Sequence, residues 1–388
     1  MVTLPIADWN YPTAVKVGLG RVREMPAWCK SAGIKNPLLI TDPELAARPM
    51  IATALRSCRE AGLGCALFHR IKCNPTGRNV EDGVTAFRAG GHDGVIAFGG
   101  GSALDAAKAV ALMVGQRRPL WDFEDVGDNH RRVNVDGIAP VVAVPTTAGT
   151  GSEVGRASVI TDEEARVKRT ILHLRMLPRV AILDAELTVS MPPPLTAATG
   201  MDALAHNLEA YCTPGYHPMA NGIALEGMRM IGTYLPRAVA NGHDLEARQQ
   251  MLVASALGAA AFQRGLGGVH AMAQPLGALY DSHHGLLNAI LMPYVLKANE
   301  PAVADHIAAA ARYIDLRPAT FSGFMDWLLK LRETVRIPHR LKDIGIDDAD
   351  AELVGRMAVE DGCSQVNPIR FTAQEYTRIF RMAVHGDL

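Results

Sequence analysis

The clearest indication of the fold lies in residues 94–108, which read GVIAFGGGSALDAAK. A continuously apolar run at 94–98 leads into three glycines and Ser102, and a helical stretch rich in Ala and Leu follows. A strand, a glycine turn and a helix start place backbone N–H groups where an anion can bind, and the helix dipole favours the negative charge. Glycine lacks a Cβ, so a phosphate can approach the backbone closely. Taken alone, the stretch predicts either a phosphate-binding turn or a plain tight turn after a buried strand.

The same alternation of strands and helices extends over the first half of the chain. Apolar runs predict strands at 37–40, 65–68, 94–98 and 140–145. Helical periodicity predicts helices at 50–61, 80–89 and 103–113. Continuously apolar strands that alternate with helices are typical of a parallel sheet covered on both faces. The first half is therefore predicted to be an α/β domain built on a parallel sheet.

The second half of the chain lacks strand signals. Its period and its Ala, Leu and Met content predict helices at 195–210, 218–235, 245–263, 302–313 and 321–334. The three consecutive prolines at 192–194 can neither continue a helix nor donate to a sheet, so they indicate a junction. The sequence thus predicts an α/β domain at 1–190 and an all-helical domain at 191–388.

Composition excludes several classes of protein. The 388 residues carry 39 Lys and Arg against 40 Asp and Glu, and this balance argues against a nucleic-acid binder. No window approaches 18 uninterrupted apolar residues, so no membrane span is predicted. No signal-peptide pattern is visible near the start, and the six cysteines are scattered without a C-x-x-C pair. These features predict a cytoplasmic protein with reduced thiols.

A second polar loop follows another predicted strand, at residues 145–153 (PTTAGTGSE). It offers the hydroxyls of Thr146, Thr147, Thr150 and Ser152. Ligands of open parallel sheets bind at the carboxyl ends of the strands, so two such loops favour a dinucleotide pyrophosphate over two ordinary turns. Asp42 ends the strand at 38–40 and is placed to accept bonds from ribose hydroxyls, which favours NAD over NADP. An Asp before Pro43 is also a common turn starter.

Four side chains of the helical half have the chemistry of metal ligands. Asp202 and His206 are spaced i,i+4, which sets both on one face of a helix. His270 and His284 follow in two glycine-containing stretches. One carboxylate and three imidazoles suit Fe(II) or Zn(II), whereas calcium and magnesium prefer more oxygen. Four buried structural residues are the alternative interpretation.

At these residues the chain resembles the iron-containing (group III) alcohol dehydrogenase family. The resemblance covers nearly the whole length and rests on the GGGSxxDxxK turn at 99–108, PTTAGTGSEV at 145–154, ATGMDAL at 198–204 and the stretch 265–277. It implies a dehydroquinate synthase-like fold, with an NAD-binding α/β domain followed by a helical metal-binding domain. It also implies that Asp202, His206, His270 and His284 hold the metal, with Fe(II) expected and Zn(II) possible.

The resemblance also implies a set of contacts to NAD. These fall on Asp42, Asn74, Gly100, Gly101, Ser102, Thr146, Thr147 and Lys168. The predicted cofactor set further includes Asp105, Thr150, Ser152 and Leu187. The implied function is hydride transfer between a small alcohol, or its aldehyde or ketone, and NAD(H), by an enzyme that is expected to be a homodimer.

One position departs from the family pattern. Many family members have a second histidine four residues after the third ligand, where this chain has Gln274. Glutamine can orient a substrate or a water, but it cannot titrate near neutral pH. A proton-relay role is therefore in doubt at this position, and His283, beside the ligand His284, is a speculative substitute.

Two other enzyme classes compete with an alcohol dehydrogenase. A hydroxy-acid dehydrogenase, or a hydroxyacid-oxoacid transhydrogenase of the same family, needs a cation for the substrate carboxylate, and Arg156 and Arg264 are candidates. A lyase of the dehydroquinate synthase type would need a basic cluster for a phosphorylated substrate. No such cluster occurs in the sequence near 202–284, which disfavours the lyase.

Overall fold

The computed structural model describes residues 13–388, so the first twelve residues of the predicted 1–190 domain lie outside the described part. The described chain divides into two compact units. An α/β unit comprises residues 13–147 and Gly151–Ser190, and a helical unit comprises Ala148–Thr150 and Met191–Leu388. The long helical stretch thus begins directly after Ser190, while three residues of the Thr-rich loop group with the helices.

The α/β unit contains one parallel sheet and one hairpin among its described residues. Its strands are β1 (Ala14–Val17), β2 (Pro37–Ile40), β3 (Ala66–Phe68), β4 (Gly94–Gly99), β5 (Val141–Pro145), β6 (Ala157–Asp162), β7 (Val167–Leu172) and β8 (Val180–Leu183). Six of them form a sheet in the order β1-β8-β5-β4-β2-β3, and every neighbouring pair is parallel. The predicted parallel sheet is confirmed.

Helices cover both faces of this sheet. They are α1 (Met25–Ser31), α2 (Pro43–Ala46), α3 (Pro49–Glu60), α4 (Gly77–Ala89) and α5 (Gly101–Met113). Side chains of successive residues in β4 point to opposite faces, so Val95 and Ala97 belong to one apolar core and Ile96 and Phe98 to the other. Burial on both faces explains why the strands read as continuous apolar runs.

The strands β1, β6, β7 and β8 were not predicted from the sequence. β6 and β7 pair antiparallel as a hairpin, in which Ala157 lies opposite Leu172. Burial alternates along β6, and most of β7 is only half-buried. Its sequence VKRTIL mixes charged and apolar residues, so the apolar-run criterion overlooks it.

The helical unit is built around one buried helix. Its helices are α6 (Pro193–Cys212), α7 (Pro218–Ala240), α8 (Leu245–Ala261), α9 (Gly268–Tyr280), α10 (His284–Tyr313), α11 (Phe321–Thr334), α12 (Ala351–Glu360) and α13 (Ala373–His385). α6 packs against α7, α8 and α10. Its residues are buried from Thr196 to Tyr211, which agrees with its apolar composition on all sides.

The structure corrects the predicted extent of α10. The sequence predicts a helix only at 302–313, but α10 is 30 residues long and includes Pro293 and Pro301. Because proline normally interrupts a helix, the two prolines hid the first part from pattern analysis. By contrast, α11 begins and ends where it was predicted. In the described part of the chain, no helix combines the length and the apolar character that a membrane crossing requires.

Candidate metal and dinucleotide sites

α6 carries two of the predicted metal ligands at the centre of the helical unit. Asp202 and His206 lie one turn apart and are 4% and 3% exposed. Glu209 follows His206 at i+3 on the same helix and is also buried. These three ionisable side chains on a buried helix need partners, because burying an unpaired charge is costly.

The remaining two ligands come from the adjoining helices α9 and α10. His270 lies in the first turn of α9, and His284 is the first residue of α10. One ligand atom each from Asp202, His206 and His270 can be chosen so that all lie within 4.8 Å of one another. The His284 ring lies beside the His270 ring, with a centroid distance of 5.3 Å. The structure thus brings the four predicted side chains close together, with Asp202, His206 and His270 buried and His284 half-buried.

The two inner imidazoles face each other with their Nε2 atoms. His206 Nε2 and His270 Nε2 are 3.0 Å apart. The Nδ1 of His206 lies 3.2 Å from the carbonyl oxygen of Gly149, and the Nδ1 of His270 lies 2.5 Å from a Glu209 carboxylate oxygen. Both Nδ1 contacts are to acceptors, so a neutral ring carries its proton on Nδ1 in each case. Two Nε2 lone pairs then point at each other, an arrangement that only a cation or a shared proton stabilises.

The side chain of Asn288 completes this cluster. Its Nδ2 atom lies 2.7 Å from Asp202 Oδ1, 3.0 Å from His270 Nε2 and 3.1 Å from His284 Nε2. An amide group has two hydrogens, so it cannot donate to all three acceptors at once. Among the described residues, its buried Oδ1 has no hydrogen-bond partner. The cluster therefore holds more acceptors than donors.

The protonation preferences of Asp202 and His206 suit a cation. Burial acts to raise the pKa of Asp202, but the three histidines and the Asn288 amide outweigh it and lower that pKa. Burial lowers the pKa of His206 to about 4 despite the neighbouring Asp202 carboxylate. For His270, burial opposes protonation, but the Glu209 carboxylate outweighs it and raises the pKa. An ionised Asp202 and a neutral His206 are the forms that bind metal.

A divalent cation fits the residues present. The donor set is one carboxylate and three imidazoles, which suits iron or zinc better than calcium. The surplus of acceptor atoms and the facing Nε2 lone pairs supply the reason for a positive charge at this point. The donor chemistry alone does not choose between iron and zinc.

In the α/β unit, the glycine turn leaves the start of α5 open. Gly100 is the N-cap residue of α5, and it has no side chain that could accept a hydrogen bond from the first turn. By comparison, Thr76 and Asn79 form a complete capping box at the start of α4. Gly99 has a φ of +151°, a conformation that favours glycine. A helix start whose N-cap has no side chain leaves N–H groups that a phosphate could bind, so the phosphate-binding turn stays a prediction.

Asp42 and the residues after β5 lie near this turn. Asp42 caps α2 by accepting from Leu45 N with one oxygen, at 2.9 Å. Its other oxygen points toward Gly99, since a Cβ at Gly99 would lie 3.6 Å from it. A Cβ at Gly100 would lie 3.4 Å from Thr147 Oγ1, and Thr146 is buried directly after β5. The structure thus groups these predicted cofactor contacts at the carboxyl ends of adjacent strands.

A second pair of predicted cofactor contacts meets at the hairpin. Lys168 Nζ on β7 donates to Asn74 Oδ1 at 2.9 Å. Ser102 Oγ, at the start of α5, donates to the carbonyl oxygen of Cys73, the residue before Asn74. Cys73 and Asn74 together therefore link the glycine turn to the hairpin, although neither Asn74 nor Lys168 is marked by any sequence pattern.

Other members of the predicted cofactor set are engaged inside the protein. Asp105 Oδ1 accepts from Ser152 Oγ at 2.5 Å, and its Oδ2 accepts from Val159 N at 2.9 Å. Leu187 belongs to an apolar core of the α/β unit. Thr150 is half-buried and groups with the helical unit.

The two positions linked to proton transfer have different surroundings. Gln274 is half-buried on α9 and lies near the thiol of Cys363, whose pKa its amide acts to lower against the stronger effect of burial. His283 is exposed and caps α10, with its Nδ1 accepting from Leu286 N at 3.2 Å. Gln274 thus lies partly inside the helical unit, whereas His283 takes part in the start of a helix.

Sequence analysis missed Glu209 and Asn288. Each stands at helical spacing from a predicted ligand, Glu209 three residues after His206 and Asn288 four residues after His284. This spacing is the only signal that could have found them. It identifies a shared helix face but not a contact partner.

Comparison with known proteins gives consistent matches over the chain. Residues 12–185 match the family model described as iron-containing alcohol dehydrogenase, and residues 196–384 match the C-terminal model of the Fe-containing alcohol dehydrogenase family. The chain is 36% identical over 386 residues to the NAD-dependent methanol dehydrogenase of Bacillus methanolicus, covering 98% of this chain and 100% of that protein.

Two further matches have similar coverage. The 4-hydroxybutyrate dehydrogenase of Cupriavidus necator is 36% identical over 383 residues, covering 96% of this chain and 99% of that protein. The crystal structure of a 1,3-propanediol oxidoreductase superposes with a TM-score of 0.92 at 35% identity, covering 97% of this chain and 100% of that one.

Proposed function

The chain belongs to the iron-containing alcohol dehydrogenase family, and we propose that it transfers a hydride between a small alcohol, or its aldehyde or ketone, and NAD(H). The resemblance and the fold class expected from the sequence are confirmed. The enzyme is an oxidoreductase that depends on a divalent metal and on NAD. The identity of the metal, the assignment of individual residues and the alcohol itself are part of the proposal.

The observation that carries the proposal is the pair of facing Nε2 atoms of His206 and His270, 3.0 Å apart. Each ring has its Nδ1 on an acceptor, so the two lone pairs and the Asp202 carboxylate converge without enough protons. A site of this kind gains stability from a divalent cation. Asp202, His206, His270 and His284 would hold it.

When bound, a divalent metal lowers the pKa of an alcohol and polarises the carbonyl of an aldehyde or ketone. The ligand residues set the strength of that effect. Asp202 contributes one negative charge, and the neutral imidazoles contribute none, so the charge of a divalent cation is only partly neutralised. We propose Fe(II) as the metal, with Zn(II) as the alternative.

NAD would be held by the carboxyl ends of the strands in the α/β unit. The first turn of α5 would receive the pyrophosphate, because its N-cap residue Gly100 has no side chain to cap the N–H groups there. The Asp42 oxygen that is not engaged in capping would accept from a ribose hydroxyl. Asn74 and Lys168 would contribute from the side of the hairpin.

The proposal also covers proton transfer, the oligomeric state and the location of the protein. Gln274 would orient the substrate or a water by hydrogen bonds, since its amide cannot exchange a proton near neutral pH. His283 stays a weaker prediction for proton transfer because it caps α10. A homodimer and a cytoplasmic location also stay predictions.

A substrate panel tests the proposed function. Metal-stripped protein is reloaded with Fe(II) or Zn(II), and NADH formation is followed with methanol, 1,3-propanediol, butanol and other small alcohols. We expect turnover only with metal, and faster turnover with Fe(II). Equal rates in the presence and absence of metal would show that the metal-dependent function is wrong.

The panel also tests the hydroxy-acid alternative, so it includes 4-hydroxybutyrate. Of the two candidate arginines, Arg264 donates to the carbonyl oxygens of Thr213 and Gly215 and to Asn221. An arginine with these partners is held by the protein and is a poor anchor for a substrate carboxylate. Turnover of a hydroxy acid with an oxo acid, without net NADH, would favour the transhydrogenase.

A further inference from the structure

The helix that carries His270 begins directly against the carboxylate of Glu209. Glu209 Oε1 accepts from Val269 N at 2.7 Å, and Oε2 lies 2.5 Å from His270 Nδ1. The carboxylate is 6% exposed. Since both oxygens receive N–H donors from consecutive residues of α9, the carboxylate and the imidazole are held in one relative orientation.

The backbone before α9 permits this close approach. A Cβ at Gly267 would lie 2.9 Å from Glu209 Oε1 and 2.9 Å from Asn367 Oδ1. Any larger residue would therefore displace the carboxylate or the amide from the start of the helix. Asn367 Oδ1 accepts from Gly268 N at 2.8 Å, so two buried side chains bind successive N–H groups there.

We propose that Glu209 is a positioning residue for the metal site, an inference that rests on the proposed function. Its carboxylate fixes His270 as the tautomer protonated at Nδ1, so that Nε2 presents its lone pair to the cation. A charged acceptor on Nδ1 also makes Nε2 a stronger donor to a metal. His206 has a neutral acceptor, the Gly149 carbonyl, at 3.2 Å. Glu209 thus makes His270 the stronger of the two facing ligands.

The geometry requires a carboxylate and is not satisfied by an amide. Glu209 presents an acceptor to each of two N–H donors, Val269 N and His270 Nδ1. Glutamine has one acceptor oxygen and one donor NH2 group. In Glu209→Gln, one donor would therefore face another donor, or His270 would change its tautomer.

The first experiment compares the Zn(II) affinity of wild-type protein and Glu209→Gln by competition with a chelator. We expect the Kd for Zn(II) to rise by about 10- to 100-fold, the usual effect of removing a partner that orients a metal ligand. A wild-type protein that binds no metal would contradict the proposed function. A variant within about threefold of a metal-binding wild type would contradict only the role of Glu209.

Asn367→Ala is the matched control. It removes the hydrogen bond to Gly268 N at the same helix start, but Asn367 makes no hydrogen bond to His270 among the described contacts. We expect lower thermal stability with a Kd for Zn(II) within about threefold of wild type. If Asn367→Ala loses as much affinity as Glu209→Gln, Glu209 acts only through the start of α9, and the proposal is wrong.

A measurement on the wild-type chain keeps the proposal testable if Glu209→Gln does not fold. Nitrogen-15 NMR of histidine-labelled, Zn(II)-loaded protein distinguishes a ring protonated at Nδ1 from one protonated at Nε2. The His270 signal is assigned by its loss in His270→Gln. Protonation at Nδ1 is expected, and a His270 ring protonated at Nε2 would overturn the inference.

Discussion

The helical unit and the α/β unit each contain a buried polar cluster, and the two differ in how their hydrogen-bonding groups are matched. Around Asp202, acceptor atoms outnumber donors, and two Nε2 atoms face each other at 3.0 Å. Around Asp105, hydrogen-bond donors and acceptors are paired with each other. Ser152 and the Val159 N–H donate to Asp105, and buried Lys108 lies 3.4 Å from it.

Burial of polar residues does not by itself indicate a ligand site. Lys108 donates to the carbonyl oxygens of Gly155 and Ala157, so the cluster ties α5 to the loop and the hairpin that follow β5. The side chains of Asp105, Ser152 and Lys108 are thus hydrogen-bonded within the protein. The cluster around Asp202 is left with unsatisfied acceptors, and this imbalance indicates a place for a cation.

Removing one ligand breaks the first cluster and gives the largest expected effect. His270→Ala takes away a facing Nε2 atom and should lower turnover by at least about 100-fold, because metal assistance is worth several kcal/mol. NAD binding should be largely intact. Metal content, steady-state rates and NAD affinity measure these outcomes.

The exposed histidine His243 provides the control for that variant. His243→Ala should keep both metal and turnover, since the side chain lies outside the cluster. If His270→Ala retained wild-type rates in metal-depleted protein, the metal-assisted mechanism would be wrong.

Removing one partner from the second cluster should affect stability instead. Asp105→Ala removes the carboxylate next to Lys108. The Lys108 ammonium, whose side chain is 1% exposed, would then be buried without its ion-pair partner. We expect the free energy of unfolding to fall by about 3–5 kcal/mol, with no change in Zn(II) affinity. Urea unfolding and chelator competition measure the two quantities.

An exposed ion pair calibrates this result. Lys330 and Glu333 are 74% and 72% exposed, so Lys330→Ala should cost less than about 1 kcal/mol. Loss of metal affinity in step with stability in Asp105→Ala would mean that the two clusters are not distinct in function.

We expect a smaller effect of pH on stability, caused by Glu153. Glu153 lies in the second cluster, and its buried Oε1 has no hydrogen-bond partner among the described residues. Burial raises the pKa of Glu153 to about 7. A hydrogen bond from its own backbone and the charge of Lys108 lower the pKa, but they offset the effect of burial only in part. The unfolded carboxyl titrates at its ordinary, lower pKa, so the folded state binds the extra proton. Stability therefore falls as the pH rises from about 4.5 to about 7.

Glu153→Gln should remove that loss, because an amide stays neutral. We expect its free energy of unfolding to exceed that of wild type by about 3 kcal/mol at about pH 8, and to differ little from it at about pH 4. Thermal or urea unfolding across this range provides the measurement. An equal gain at both pH values would show that titration of Glu153 is not the cause.

The sequence predicts the elements whose evidence is local. The strand at 37–40 and the helix at 321–334 agree with β2 and α11 because an apolar run and a helical period are contained within one element. The first part of α10 was missed because Pro293 and Pro301 contradict the local pattern while the surrounding helices support it. The hairpin β6-β7 was missed because its polar residues are satisfied by pairing that no short window contains.

The residues of the candidate site likewise fall into those with local sequence evidence and those without it. Asp202 and His206 were predicted from an i,i+4 spacing, and the family resemblance added weight to His270 and His284. Glu209 and Asn288 were missed because their partners are distant in sequence: Glu209 binds His270 across 61 residues, and Asn288 binds Asp202 across 86.

The sequence alone therefore determined which side-chain groups are present and which of them share a helix face. Both are local properties, because residue chemistry and helical period are contained in short stretches of sequence. Only the tertiary structure decided that Asp105 would be satisfied by Ser152 while His206 would face His270. The physical reason is that the balance of donors and acceptors around a buried group depends on which distant segments pack against it.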